Sequence, residues 1–409
     1  MKKAVFTLIV LIVAMGFALG KTTVNYFSFT TDANHVKDLE ALIATFEKEN
    51  PDIEVKYTTA PFDSYFTKLQ TSIAAGNPPD VFELNYENFV TFASKGTLLS
   101  LDNYLLQNAI LRTSTFYPAA LNAFQYNNIQ YGLPITFSTV VLFYNKDLFD
   151  KAGVAYPTAA WTWKDVLDAA KKLTNPSQRV WGVYQPVQFW EFYKVAVQAG
   201  GGLRVSPTVQ IDTPANREAL RYLVDKVRIQ KVMPSDAEMS GVSNEDMFLN
   251  GQLAMLYSGI WMFDKFSKAP FKWDIAVEPG GARKATHFFS NAAVIAKASK
   301  NAEAAWKWVK FLAASPATVK TRIDRAWELP ALSLAQRSLF DTYLKRPLPA
   351  NREAVFDSLQ YAVTPPVVEN QPQLQDIINQ ELEAARLGTK TVEQALADAQ
   401  KRVEALLKR

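Results

Sequence analysis

Val24-Asn25-Tyr26-Phe27-Ser28-Phe29, Ile53-Glu54-Val55-Lys56-Tyr57 and Val81-Phe82-Glu83-Leu84 are three short runs of strand-forming residues, and what lies between them decides the fold. Between the first two, Leu39, Leu42, Ile43 and Phe46 recur at helical spacing behind Asp32 and Asn34, both candidate N-caps, and Pro51 stops the helix. Between the second and third, Phe66, Leu69 and Ile73 mark another helix face that ends at Gly76-Asn77-Pro78-Pro79. Strand, helix, strand, helix, strand in this order implies right-handed parallel crossovers and an α/β class.

Further along, Val140-Val141-Leu142-Phe143-Tyr144 reads as a long apolar strand, and Leu253 to Tyr257 as a buried one. Thr162 with Asp165 and Thr391 with Gln394 have capping-box spacing ahead of helical patterns. Trp306 and Trp308 belong to a helix over 302–314, with at least one in the core; Phe189 and Phe192 also read as core, and Trp161 and Trp163 as loop-to-helix packing. No fixed-period repeat and no Gly-, Ser- or Pro-rich linker divides the chain. The expected arrangement is two lobes between which the chain passes more than once.

The 409 residues carry 44 Lys+Arg against 40 Asp+Glu, so no basic footprint for nucleic acid exists. Cysteine is absent, which excludes disulfides, thiol nucleophiles, iron–sulfur clusters and cysteine-ligated zinc. Only His35 and His287 are present, too few for a histidine-rich metal site; both read as surface or structural residues, and neither a metal nor a cofactor is expected. G-x-S-x-G, H-E-x-x-H and a complete G-x-G-x-x-G are all missing.

Residues 1–20 read as an export leader: Lys2 and Lys3, an uncharged apolar run from Ala4 to Phe17, then Ala18-Leu19-Gly20 before Lys21. The run is shorter than the roughly 18 apolar residues of a spanning helix. No cysteine follows it, so a lipid on sulfur is not expected. The mature chain is expected to be exported, periplasmic or extracellular, and close to neutral.

Four ordered stretches resemble one family. They are Phe46-Glu47-Lys48-Glu49-Asn50-Pro51-Asp52-Ile53-Glu54-Val55; Ile73 to Phe82 followed by Gly96-Thr97-Leu98-Leu99-Ser100-Leu101; Tyr131-Gly132-Leu133-Pro134 with Leu142 to Phe149 and Trp161-Thr162-Trp163; and Phe248 to Met255 with Gly259-Ile260-Trp261. This order is similar to that of the extracellular solute-binding proteins of ABC transporters, in the branch that includes maltose-binding proteins. The resemblance implies a two-lobed fold, each lobe a mainly parallel sheet flanked by helices, with about three hinge crossings near residues 136, 287 and 325. The implied lobes are residues 21–136 plus 288–325 and residues 137–287 plus 326–409. It also implies a monomer that holds a mono- or oligosaccharide in the cleft, closes by hinge bending and meets a membrane permease.

Sugars offer apolar ring faces to aromatic side chains and hydroxyls to polar ones. At family-matching positions after strands, Thr30, Asn85, Tyr86 and Glu87 are candidate ligand contacts on the first lobe. Thr136 and Ser138 stand by the first crossing; maltose binders carry an acid near here, and its absence speaks against maltose itself. Gln188 and Trp190 form a polar–aromatic pair on the second lobe. Trp261 in its Gly-x-Trp turn matches the family's stacking tryptophan, and Trp327 with Glu328 lies by the third crossing. A polyamine or a phosphorylated polyol on the same fold, a secreted glycosidase or lyase, and a protein that only docks to a receptor stay open as alternatives.

Overall fold

The strand–helix alternation at residues 24–84 becomes three parallel strands linked by two helices in the computed structural model, which describes residues 20–107, 115–325, 328–332, 338 and 340–408. The leader up to residue 19 and Trp327 lie outside these residues. β1 (Thr22–Ser28) pairs in parallel with β2 (Ile53–Thr59) and β3 (Val81–Asn85). Of the two capping candidates, Asp32 closes the helix Ala33–Glu49, accepting from the backbone of Asn34 and His35. The capping boxes at Thr162/Asp165 and Thr391/Gln394 both form.

The described residues hold seven further strands: β4 (Gln125–Tyr126), β5 (Ile129–Gln130), β6 (Gly132–Asn145), β7 (Met255–Gly259), β8 (Trp273–Ala276), β9 (Thr286–Ile295) and β10 (Ala362–Val363). The main sheet runs β2-β1-β3-β9-β6-β7, with β10 on β9 and β8 on β6. The strand expected over Leu253 to Tyr257 is present two residues later, as β7.

β6 and β9 are shared between the two halves of the molecule. Gly132 to Thr139 of β6 pair with β9, and Val140 to Asn145 pair with β7 and β8. β9 pairs with β3 through Asn291 to Ile295. The expectation of a mainly parallel sheet holds for β2-β1-β3 and is corrected around β6, whose partners β7, β8 and β9 are all antiparallel. Beyond that, among the described residues, parallel alignment recurs in β10 on β9 and in isolated bridges such as Trp181–Leu253 and Tyr184–Leu256. Alternating patterns announce crossovers, but they do not say that one 14-residue strand serves both halves and meets its neighbours head to tail.

Aromatic burial holds each half. Trp308 is fully buried on the helix Ala302–Ala314, edge-on to Tyr26 at 5.6 Å and Phe46 at 5.0 Å, and Trp306 is buried against Tyr104. In the second half Trp163 stacks on Tyr222 at 4.1 Å and donates its indole N–H to Gln198, while Phe189 and Phe192 are fully buried. The helices Gln371–Leu387 and Val392–Leu407 complete that core. Just before them, the Glu369 carbonyl reaches back to accept from Thr91 of the first half.

Candidate functional site

The ends of β1, β3 and β7 and the middle of β6 and β9 converge on a cleft of about 770 Å³, inside the range of small-molecule sites. Phe29, Thr30, Phe62 and Asn85 form one wall; Gln188, Trp190, Glu191 and Trp261 form the other; Thr136, Phe289, Asn291 and Glu328 lie at the floor. Aromatic rings face the cleft from both walls. Phe62 and Trp261 are 47% and 37% exposed, high for rings of that size. Phe62 stands edge-on to Phe29 at 5.5 Å, Trp261 edge-on to Phe289 at 5.3 Å, and Trp190 lies 6.2 Å from Phe289.

Gly259 is what allows the Trp261 placement. A Cβ there would lie 1.8–2.1 Å from the indole, so the ring folds back over the strand end only because that position is glycine. Gln188 caps the helix Phe189–Gln198, which sets Trp190 and Glu191 in its first turn beside the cleft.

Three carboxylates of the cleft, Glu83, Glu191 and Glu328, are held by partners. Glu83, buried in β3, accepts from Tyr26 and from Ser28 at 3.1 Å. Desolvation raises its pKa against these bonds and the Arg322 charge. Glu191 accepts from Gln185 at 2.6 Å and pairs with Lys194 at 3.1 Å; Lys194, wholly buried, also pairs with Glu278 at 2.7 Å. Burial alone would lower the Lys194 pKa, but the two carboxylates outweigh it and hold the ammonium. Burial likewise pushes Glu278 up to about 7. Glu328 accepts from Thr136 at 3.0 Å and from Asn291.

Of the residues expected at the site, Thr30, Asn85, Thr136, Gln188, Trp190, Trp261 and Glu328 border this cleft. Tyr86, Glu87 and Ser138 do not. Asn85 ends β3 and caps the helix Tyr86–Ser94, so the chain turns at Asn85 and carries the next two side chains away. Glu87 is fully buried, accepting from Asn85 Nδ2 at 2.6 Å and lying 3.1 Å from His287 Nε2. Burial pushes its pKa up to about 8. The Tyr86 hydroxyl bonds to Thr364. Ser138 is buried beside its cross-strand partner Phe289, which takes the cleft-facing place.

Sequence reasoning missed Phe62, Glu83, Glu191, Asn291 and Arg322. Glu83 carried a signal, a lone polar residue inside an apolar strand run, and Asn291 a weaker one, beside Ser290. Phe62 opens a helix just beyond the end of β2, the same kind of strand-end position that pointed to Thr30 and Asn85. Arg322, on the helix Pro316–Arg325, gave none. Among the described residues no group of three His, Asp or Glu could hold a metal, and no helix is long and apolar enough to cross a membrane.

Comparison with known proteins identifies the fold and the family. An ABC substrate-binding protein from Listeria monocytogenes, solved in complex with cycloalternan, is 47% identical with a TM-score of 0.91, covering 95% of this chain and 99% of that one. A solute-binding protein of an ABC transporter from Thermotoga lettingae, bound with α-D-tagatose, is 26% identical with a TM-score of 0.81, covering 95% and 100%. The maltotriose-binding protein of Pyrococcus abyssi is 23% identical over 308 residues, 73% of this chain and 64% of that one. The fold is thus the two-lobed α/β fold of ABC sugar-binding proteins. The model of the bacterial extracellular solute-binding proteins matches residues 32–319, and the chain belongs to that family.

Proposed function

We propose that this chain is the exported capture component of an ABC importer and that its ligand is an oligosaccharide. Sugar rings stack on Trp190, Trp261 and Phe62, and hydroxyls bond to Thr30, Asn85, Gln188 and Glu328. Trp327 remains a further stacking candidate. The lobes, residues 21–136 plus 288–325 and 137–287 plus 326–409, then close by hinge bending, and the closed form is what the permease receives. The observation that carries this reading is the cleft itself, aromatic on both walls and polar at the floor. The cycloalternan bound by the Listeria relative favours an oligosaccharide over a single ring.

The partners of the carboxylates favour a neutral ligand. Glu83, Glu191 and Glu328 already accept hydrogen bonds from the protein, so they suit hydroxyls better than a polyamine seeking free counter-charges. Membership of the extracellular solute-binding family supports binding without turnover.

The test is intrinsic tryptophan fluorescence of protein unfolded and refolded to strip any bound ligand, titrated with cycloalternan, maltotriose and monosaccharides. A saturable change with an oligosaccharide is expected. Silence across the panel, or turnover of a glycan by the pure protein, would overturn the reading.

A further inference from the structure

Thr136, Asn291 and Glu328 are far apart in the chain and meet under the cleft. Thr136 lies in β6, a few residues before its pairing passes from β9 to β7 and β8. Asn291 lies in β9 where pairing to β3 begins on one side while pairing to β6 continues on the other. Glu328 lies on a third segment, tied to β6 by the two backbone bonds between Phe137 and Leu329. In the lobe division proposed above, these positions lie at or within a few residues of the three crossings between the lobes.

One hydrogen-bond cluster joins them. Thr136 Oγ1 donates to Glu328 Oε2 at 3.0 Å, and Asn291 Nδ2 lies 3.1 Å from Thr136 Oγ1 and 3.2 and 3.0 Å from the two Glu328 oxygens. The members differ in exposure. Thr136 and Asn291 are buried, 1% and 7% exposed, whereas Glu328 is partly open to the cleft. A ligand can therefore reach the carboxylate most readily, and the carboxylate accepts from both other segments.

We propose that these three side chains form a closure clasp, with Glu328 the positioning residue through which cleft occupancy is passed to all three crossings. The proposal rests on the capture-and-closure reading above. A carboxylate offers about four acceptor sites, enough for Thr136, Asn291 and one ligand hydroxyl together. A hydroxyl bonding at the remaining site pulls on the carboxylate and so redirects the bonds that hold the crossings in their ligand-free register. Both neighbours must readjust at once, because they share one acceptor group. Burial raises the Glu328 pKa, and the nearby Arg322 charge with the bonds from Thr136 and Asn291 works against that rise.

The absence of cysteine makes the test clean. Lys68→Cys and Ala237→Cys, both at exposed positions and on opposite sides of the cleft, take spin labels whose separation is read as a distance distribution, with and without cycloalternan. In the otherwise native chain a narrow distribution that shortens with ligand is expected. Glu328→Gln and Thr136→Val should broaden the ligand-free distribution and reduce the shortening at saturation, with affinity falling about 5-fold or more. Thr136→Ser, which restores the hydroxyl, should recover the narrow distribution and so separates loss of the clasp from misfolding. Distributions of Glu328→Gln and Thr136→Val that coincide with the parent's in both states would overturn the clasp. Broadening in the variants, with a parent distance that no sugar shortens, would support the clasp and overturn the sugar-closure reading instead.

Discussion

Replacing Glu87 by glutamine should change how the stability of this protein depends on pH, and the size of the effect follows from three buried groups. Glu87 Oε1 lies 3.1 Å from His287 Nε2, and His287 Nδ1 lies 2.5 Å from the Tyr193 hydroxyl, which also donates to the Val363 carbonyl at 3.1 Å. Burial pushes the Glu87 carboxyl up to about 8 from its ordinary 4.5. It also holds His287 well below 6.5, with Lys194 adding to the effect. At neutral pH the pair is therefore a protonated carboxyl donating to a neutral imidazole, not an ion pair.

The two groups pull in opposite directions. Glu87 keeps a proton in the folded state that the unfolded chain releases above about pH 4.5, so its contribution falls as pH rises to about 8. His287 lacks a proton that the unfolded chain takes up below about pH 6.5, so its contribution falls as pH drops. From about 4.5 to 6.5 the slopes oppose each other; from about 6.5 to 8 only that of Glu87 remains. At about 1.4 kcal/mol per pH unit this is a loss of roughly 2 kcal/mol across that window. For a chain of about 400 residues it corresponds to a Tm change of about 2–3 °C.

Glu87→Gln mimics the protonated acid. Its amide nitrogen can donate to His287 and its carbonyl can accept from Asn85, with no proton to lose. Urea unfolding followed by circular dichroism at pH 6.5, 7.2 and 8.0 should show the variant gaining on wild type by about 2 kcal/mol over the range. A difference that stays constant from pH 6.5 to 8 would refute the raised carboxyl. A variant weaker by the same large amount at every pH would mean that the native pair is charged.

Three further outcomes are expected. Trp261→Ala should leave folding intact, since the ring is partly exposed, and weaken oligosaccharide binding by about 1–2 kcal/mol, roughly 5- to 30-fold by calorimetry; unchanged affinity would remove the ring from the site. Trp308→Ala empties the centre of the first half and should cost about 3–5 kcal/mol, lowering Tm by about 4–6 °C. Lys194→Met leaves Glu191 and Glu278 without their shared cation and should cost about 3–5 kcal/mol by urea unfolding at pH 8, less at pH 5 where Glu278 can take a proton.

Much of the architecture was legible in the sequence because it rests on local rules. Asp32, Thr162 with Asp165, and Thr391 with Gln394 announce their helices by spacing alone, and each caps as expected. The Gly259-Ile260-Trp261 turn announced an aromatic at a strand end, and the glycine proves sterically necessary. The site was legible less far. Asn85 and Glu87 stand two residues apart after the same strand, yet one faces the cleft and the other is wholly buried. Glu83, inside the strand run itself, reaches the cleft.

The sequence by itself determined the α/β alternation, the helix starts, the absence of thiol chemistry and the strand-end loops in which a ligand site could form. These depend on side-chain periodicity and on backbone groups a few residues away, and both are written locally. Only the tertiary structure decided that β6 serves both halves with antiparallel neighbours, and that Thr136, Asn291 and Glu328 share hydrogen bonds across 155 and 192 residues of chain. It also decided which carboxylates are paired and which are neutralised. The physical reason is that a carboxylate's direction, solvation and charge are set by whatever the fold packs against it, and no spacing along the chain encodes that neighbour.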